Sequence, residues 1–341
     1  MTQKIAFITG VNGQDGALLA DFLLRKQYQV HGLIRRISVH DSERLNDLGA
    51  HPDFHLHTGD LGDLSGLLRI LDSIQPHEIY HLAAQSHVGV SFENPILTAQ
   101  TNVCGTTNLL EAIRLLKMID QTRFYQASSS EIFGNVPAPQ DENTPFRPCS
   151  PYAVSKLHGY WMSVTYRHAY GLFASNGILF NHESALRGEE FVTRKITKAI
   201  ARIKSNMQDF VTIGNLDARR DWGHAKDYID GMWRILQHDN PDDFVLATGK
   251  SYSVRDMIAY AFDYAGMPLR WEGTGLQERG IEIATNKPRI IVDKIHYRAN
   301  DVHFLCGNAT KAFDILKWKP QYSFHDLIKE MVDFDLKLLS K

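Results

Sequence analysis

Cysteine is scarce in this chain: Cys104, Cys149 and Cys306 are the only three in 341 residues. An odd, scattered set excludes a disulfide framework and fits reduced thiols in a cytoplasm. C-x-x-C does not occur, and the sixteen histidines are dispersed. His51, His55 and His57 flank or belong to one short strand and read as solvated or structural, so no metal is expected. No apolar run reaches the roughly 18 to 20 residues of a membrane span, and the amino terminus has no signal-peptide pattern. The formal net charge of -2 gives no excess of either sign, which argues against nucleic acid or a membrane surface as partner. Internal repeats and a Pro/Gly/Ser-rich linker are also missing, so no domain border is marked.

What is present is ample length for a large core and a long alternation of strand and helix patterns. Strands read at Lys4 to Thr9, Val30 to Ile34, His55 to Thr58, Glu78 to His81 and Arg123 to Ala127. Helices read near Leu64 to Ile74, near Ile96 to Lys117, and from the loop after the fifth strand to Tyr170. This order predicts an α/β fold with a doubly wound parallel sheet and right-handed crossovers. Beyond Ile178-Leu-Phe180 the alternation weakens, and a helix near Phe191 to Ser205 opens a different pattern. The expectation is a Rossmann-type dinucleotide domain over 1–180 and a smaller, mainly substrate-binding domain over 181–341, with some later segments returning to the first.

The first strand runs into Gly10-Val-Asn12-Gly13-Gln14-Asp15-Gly16, followed by an apolar helical pattern through Leu18, Leu19, Phe22 and Leu23. Strand, glycine turn and helix is what a dinucleotide site requires: glycines allow the tight turn, the approach of pyrophosphate and close helix–strand packing. The spacing is G-x-x-G-x-x-G. After the second strand an NAD enzyme commonly places an acid for the ribose 2'-hydroxyl, whereas this chain has Arg35 and Arg36. Two guanidiniums suit a 2'-phosphate, which makes NADP the expected cofactor.

Ser129 and Glu131 precede Tyr152-Ala-Val-Ser-Lys156 by one loop. Positions i and i+4 share a helix face, so Lys156 stands beside Tyr152, where a cation favours the phenolate over a phenol with a pKa of about 10. Ser150 and Pro151 suit the N-cap and first-turn positions, which puts Tyr152 at the helix start. Alone, a Y-x-x-x-K spacing more often marks a core aromatic and a surface lysine. Here Asp60, Leu82-Ala83-Ala84-Gln85-Ser86 and Ser128 to Glu131 follow the third, fourth and fifth strands, at the carboxyl edge where such sheets bind ligands. Asn181, Lys195, Arg219, Arg220, Arg279 and Arg298 form a largely basic inventory suited to a diphosphate, although each single member is as well explained by a surface ion pair.

Taken together these residues resemble the extended short-chain dehydrogenase/reductases and, more closely, the GDP-mannose 4,6-dehydratases. The most specific blocks are Phe191-Val-Thr-Arg-Lys195 and Gly214-Asn-Leu-Asp-Ala-Arg-Arg-Asp-Trp-Gly-His224, joined by Asn181-His-Glu-Ser184 and Asp141-Glu-Asn-Thr-Pro-Phe146. The resemblance implies an internal redox dehydration of a GDP-sugar, with NADP consumed and regenerated in one turnover. It implies Tyr152 as base at the C4 hydroxyl, Lys156 as its partner, Glu131 as the acid/base for C5 and C6, and Ser129 as donor to the C4 oxygen. It adds Leu61, His182 and Arg187 to the cofactor contacts and Asp301 to a substrate set of Asn181, Lys195, Arg220, Arg279 and Arg298. A homodimer or homotetramer is further implied, with the Arg35 to Ser42 loop reaching a neighbour's cofactor.

Departures from the family are local. Ser129 stands where these dehydratases usually carry threonine, which keeps the hydroxyl, and Asn12 replaces a common threonine. Ala185-Leu186 replaces a sequence richer in proline and arginine. Arg298-Ala-Asn-Asp301 matches an Arg-Pro-x-Glu pattern only in part, and Trp271 to Tyr297 departs more widely. Change in the sugar pocket around an intact catalytic set keeps a GDP-manno-heptose 4,6-dehydratase open as an alternative. A nucleotide-sugar epimerase or reductase is disfavoured by Glu131, which such chemistry does not need, and a non-catalytic NADP-binding sensor by the filled catalytic roles.

Overall fold

The computed structural model describes residues 3–36, 43–297 and 300–340. Its strands are β1 (Ile5–Thr9), β2 (Gln29–Ile34), β3 (Phe54–Thr58), β4 (Glu78–His81), β5 (Arg123–Ser129), β6 (Phe173–Leu179), β7 (Asn181–Glu183), β8 (Val211–Ile213), β9 (Arg219–His224), β10 (Asp243–Leu246), β11 (Ser251–Ser253), β12 (Leu269–Glu272), β13 (Arg279–Glu282) and β14 (Pro288–Val292). Seven of them form one sheet in the order β10-β6-β5-β4-β1-β2-β3, with every neighbouring pair parallel. The expected doubly wound sheet is therefore present.

Its central strands β1, β4, β5 and β6 are buried on both faces. Along β1, Ala6 and Ile8 enter one core with Val30, Tyr80 and Tyr125. Phe7 points the other way, into a core with Leu33, Ile79, Phe124 and Leu71. Chain order reverses at β1, whose neighbours are β2 and β4, so the crevice beyond Thr9 and His81 is the topological switch point.

Helix Leu64–Ile74 matches its expected bounds. Helix Pro151–Tyr170 starts as predicted, with Ser150 Oγ accepting the Ala153 N–H and Pro151 in the first turn. It stops at Gly171, whose φ of 75° suits a residue without Cβ. The single helix expected near Ile96 to Lys117 is instead Pro95–Ala99, a π-turn over Gln100–Cys104 and helix Gly105–Leu115. Asn102, inside the π-turn, accepts the Gln85 N–H at 2.8 Å and donates to the Gln85 carbonyl at 3.0 Å. A widened turn brings that side chain to the backbone after β4, which a 3.6-residue pattern does not reveal.

After residue 180 the chain builds a second core. Helices Val192–Lys204, Val254–Tyr264 and Phe324–Leu339 pack Ile196, Ile200, Met257, Phe262, Leu327 and Met331 against the sheet β12-β13-β14-β8. A three-stranded sheet, β11-β9-β7, adds Trp222 of β9 to this second core. Helix Ala225–Gln237 and β10 belong to the large sheet: Met232, Ile235, Phe244 and Leu246 share the core of Ile8 and Tyr80.

Candidate active site

The glycine turn is fixed by close approach. Gly10 has φ +71°, and a Cβ there would lie 2.9 Å from Ala83 Cα; one on Gly16 would lie 2.4 Å from the Gly10 carbonyl oxygen. At Gly13 the only near atom would be the Gly10 oxygen at 3.2 Å, which leaves a concavity facing the cleft. Helix Gln14–Arg25 begins there with no side-chain cap, so its first-turn N–H groups are available to an anion. Thr9 Oγ1 accepts the N–H groups of Leu82 and Ala83, each at 3.1 Å, and lies 2.8 Å from His81 Nδ1. That hydroxyl joins the ends of β1 and β4 at the switch point.

A cavity of about 870 Å³ opens beyond these strand ends, a volume at the upper end of ligand sites. Its wall collects Gly10, Asn12, Gly13, Gln14, Asp15, Gly16, Arg35, Asp60, Leu61, Leu82, Ala83, Ala84, Gln85 and Ser86 from the first half of the chain. It also collects Ser129, Glu131, Tyr152, Lys156, Asn181, His182, Arg187, Lys195, Arg220 and Asp301. Arg36 is exposed and off the wall, as is Arg279 at the start of β13. Arg219 also turns away, bonding Ser251 through Nε and the Ser251 carbonyl through Nη2. Arg298, and the part of the Arg35 to Ser42 loop beyond Arg36, lie outside the described residues.

The reactive quartet is buried. Ser129 Oγ accepts the Glu131 N–H at 3.2 Å. Burial pushes the Tyr152 phenol up to about 12; a hydrogen bond with Ser129 opposes this, Glu131 adds to it, and Arg187 pulls it back. Lys156 Nζ donates to the Ala127 carbonyl at 2.8 Å, and burial brings its ammonium down to about 8 against the pull of Asp15. The expected lowering of Tyr152 by Lys156 is not seen: the phenol is held above its ordinary value. The ammonium is engaged by a backbone carbonyl, and desolvation outweighs the groups that favour phenolate.

His182 ties the glycine turn to the later segments. Its Nδ1 lies 2.8 Å from the Phe180 carbonyl and its Nε2 2.8 Å from Asp15 Oδ2. Both neighbours only accept, so both ring nitrogens donate and the ring is an imidazolium. Burial opposes that charge, but Asp15 more than offsets it and holds His182 above its ordinary value. Burial likewise opposes the Asp15 carboxylate, which His182 and Gln14 hold at about 2. Gln14 Oε1 accepts the Ser184 hydroxyl at 2.9 Å. Arg187 pairs with Glu183 at 3.0 Å and lies 3.5 Å over the Phe191 ring.

Toward the second core, Arg220 Nη2 lies 3.2 Å from Asp301 Oδ1, and Lys195 Nζ lies 3.2 Å from His296 Nε2. The sequence reading did not single out His87, Phe191, Asn215, Ile295, His296 or Tyr297, all on the cavity wall. Nor did it find Arg44, which donates to the carbonyls of Leu186 at 2.9 Å and Asn12 at 3.3 Å. These residues come from separate loops and carry no spacing signal; only the quoted blocks containing Phe191 and Asn215 pointed nearby. No helix is long and apolar enough to cross a membrane and no cluster could hold a metal ion, both among the described residues.

A parallel switch-point sheet, an uncapped glycine-turn helix and a buried serine, tyrosine and lysine define a dinucleotide-dependent enzyme of the extended short-chain dehydrogenase/reductase class. Solved structures agree on the fold: UDP-glucose 4-epimerase from Thermotoga maritima matches with a TM-score of 0.82 at 22% identity, over 98% of this chain and 99% of that one. The Thermus thermophilus UDP-glucose 4-epimerase matches with 0.80 at 22% identity, over 97% and 98%.

The particular family is GDP-mannose 4,6 dehydratase, to which this chain belongs: the family model matches residues 7–331. GDP-mannose 4,6-dehydratase of Sinorhizobium fredii (strain HH103) is 52% identical over 99% of this chain and 98% of its own length. The human GDP-mannose 4,6 dehydratase is 47% identical over 99% and 92%. The Arabidopsis thaliana GDP-mannose 4,6 dehydratase 1 is 49% identical over 99% and 91%.

Proposed function

We propose that this enzyme converts GDP-mannose to GDP-4-keto-6-deoxymannose, with NADP as the cofactor and the catalytic set Ser129, Glu131, Tyr152 and Lys156. The observation that carries the reading is Glu131 on the same cavity wall as Ser129, Tyr152 and Lys156, in a chain of this family. Epimerisation or reduction alone gives a carboxylate at that point no task; elimination of water does.

The fit to a dinucleotide rests on the Gly13 concavity and the uncapped helix start for the diphosphate. NADP is preferred over NAD because Arg35, and not an acid, follows β2 on the wall. Asp60, Leu61 and the Leu82 to Ser86 segment would line the adenosine and nicotinamide ends. When bound there, the nicotinamide would supply the hydride acceptor for sugar C4 and the hydride donor for C6.

The residues of the chain handle the protons. Tyr152 accepts the proton of the C4 hydroxyl as C4 becomes a ketone, and Ser129 hydrogen-bonds the C4 oxygen throughout. The ketone acidifies the C5–H bond, and Glu131 takes that proton. The Glu131 carboxyl then gives it to the C6 hydroxyl, the C6–O bond breaks with its electron pair on the leaving water, and a C5–C6 double bond remains. Reduction at C6 and protonation at C5 complete the 4-keto-6-deoxy sugar. Lys156 supplies a cation to the phenolate once it leaves the Ala127 carbonyl, and Asn181, Lys195, Arg220 and Asp301 are proposed to hold the substrate.

We read 1–180 with the returning helix Ala225–Gln237 and β10 as the cofactor domain, and the remainder of 181–341 as mainly substrate-binding. Three free cysteines support a reducing, cytoplasmic setting. A homodimer or homotetramer is supported by adjacent exposed apolar side chains on two packed helices, Ile96 at 73%, Val154 at 55% and Trp161 at 52%. The primary test incubates NADP-loaded protein separately with GDP-mannose and GDP-manno-heptose and follows loss of one water by mass spectrometry. Preferential loss from GDP-mannose is expected. Preferential loss from the heptose would replace the substrate while keeping the chemistry, and no loss from either would remove the dehydratase reading.

A further inference from the structure

Lys195 sits in the first turn of helix Val192–Lys204, and its ammonium meets a side chain from the far end of the sequence. Nζ lies 3.2 Å from His296 Nε2, and the Thr212 hydroxyl lies 2.8 Å from the same nitrogen. An ammonium only donates, so this contact is a hydrogen bond in the neutral ring with its proton on Nδ1, where Nε2 presents its lone pair to Lys195 and to the Thr212 hydroxyl. Its surroundings favour that state: burial and the Lys195 charge hold the imidazole below its ordinary range, with Asp293 opposing.

The ring is itself held in place. It belongs to the short turn Lys294–His296, started by Asp293, whose side chain accepts the Ile295 N–H at 3.0 Å. The Asp293 N–H donates to the Ile213 carbonyl at 2.9 Å, tying the turn to β8. A Cβ on Gly214 would stand 2.6 Å from the His296 carbonyl oxygen, so a glycine there lets this segment lie against the β8 loop. His296 and Lys195 both line the cavity. A lysine has four rotatable side-chain bonds, and fixing its head before a ligand arrives removes an entropic cost from binding.

We propose that His296 is a positioning residue that holds the Lys195 ammonium toward the diphosphate of the nucleotide-sugar substrate. This rests on the reading of Lys195 as a substrate contact. The role belongs to the acceptor atom and not to ring bulk, so glutamine, whose Oε1 reaches about as far as Nε2, preserves it, and leucine does not.

The test measures GDP affinity by calorimetry on full-length, NADP-loaded protein, with steady-state constants for the sugar nucleotide alongside. His296→Leu is expected to weaken GDP about tenfold and raise KM with kcat unchanged, since the hydrogen bond lost is to a charged group. His296→Gln is expected to stay within about twofold of the parent. Lys195→Met weakens GDP at least as much, and adding His296→Leu to it changes nothing more, because the histidine acts through the lysine. If Lys195→Met weakens GDP while His296→Leu does not, this inference fails and the reading of Lys195 stands. If Lys195→Met has no effect, both fail. Losses that multiply in the double variant would mean that His296 touches the ligand itself. A glutamine as damaging as leucine, or loss of NADP affinity in His296→Leu, would make the residue structural; each overturns the proposal.

Discussion

The two sides of the cavity are built by different means. On the side proposed to hold the cofactor, contiguous stretches such as Gly10 to Gly16 and Leu82 to Ser86 supply the wall, and close approaches at Gly10 and Gly16 constrain the turn. On the substrate side, single side chains arrive from distant points: Asn181, Lys195, Arg220, His296 and Asp301. They are held by one another across long sequence separations, as in the Arg220–Asp301 and Lys195–His296 pairs. The cofactor side is thus a property of local turns, and the substrate side a property of the finished fold. Local encoding tolerates few changes, whereas single side chains gathered from separate elements can be exchanged one at a time.

The sharpest way to break this contrast is at Glu131, the proposed acid/base on the cavity wall. Glu131→Gln keeps size and hydrogen bonding but loses the base, so dehydration is expected to fall about a thousandfold while NADP binding is preserved. Single-turnover mass spectrometry on the NADP-loaded variant checks it. Undiminished water loss would end the assignment of Glu131 to C5 and C6, and loss of cofactor binding would mean that the two sides are not separable there.

That division also explains what could be read from sequence. The glycine turn, Arg35, the Ser129 to Glu131 loop and the Tyr152 and Lys156 pair are short motifs with a fixed spacing, and all reach the cavity wall. The parallel strands are legible from a continuous apolar run in β1 and elsewhere from their alternation with helices. The π-turn at Gln100–Cys104 was missed because one extra residue per turn leaves the helical apolar pattern nearly intact. His296 and Arg44 were missed because a histidine or arginine in a loop gives no period and no motif; only the pairing with Lys195, or with the Leu186 and Asn12 carbonyls, gives it meaning. Arg279 and Arg219, both in the basic inventory, do not line the cavity, and Arg219 bonds the Ser251 carbonyl instead. The tyrosine was found, but its state was not: spacing reports that Lys156 is near and says nothing of the Ala127 carbonyl that engages it.

A smaller effect sharpens the cofactor side. Arg35 lines the cavity and Arg36 does not, so Arg35→Ala should account for most of the loss seen in the Arg35→Ala, Arg36→Ala double variant. NADP affinity is expected to fall about tenfold, the scale of charge-assisted bonds to a phosphate, with NAD affected less than about threefold. Fluorescence titration with both dinucleotides measures it. Equal losses for NADP and NAD would remove the 2'-phosphate from the account, and a larger share for Arg36 would move the contact off the wall.

The smallest expected effect concerns acid, and it also divides the molecule. Burial, with His57 and His55, lowers His31 on β2 to about 4, and burial with the nearby Lys156 lowers His81 on β4 to about 3. Unfolded, both titrate near 6.5, so between pH 6.5 and about 4 the unfolded chain binds protons that the folded chain refuses. Stability of the large sheet is therefore full above pH 6.5 and is lost as pH falls, on the order of 2 kcal/mol for each histidine at about pH 5. His182, held above its ordinary value, works in the opposite sense and returns part of the loss. Asp221, next to Trp222 of the second core, is raised by burial and so favours the fold as it takes up a proton in acid. Amide exchange protection, corrected for intrinsic rate, should consequently fall more in β2 to β4 than in β12 to β14 on going from pH 7 to about pH 5. Equal loss in both sheets would mean that the buried imidazoles do not set the acid response, and His81→Asn, which removes the titration while keeping hydrogen-bonding capacity, should flatten it in β4.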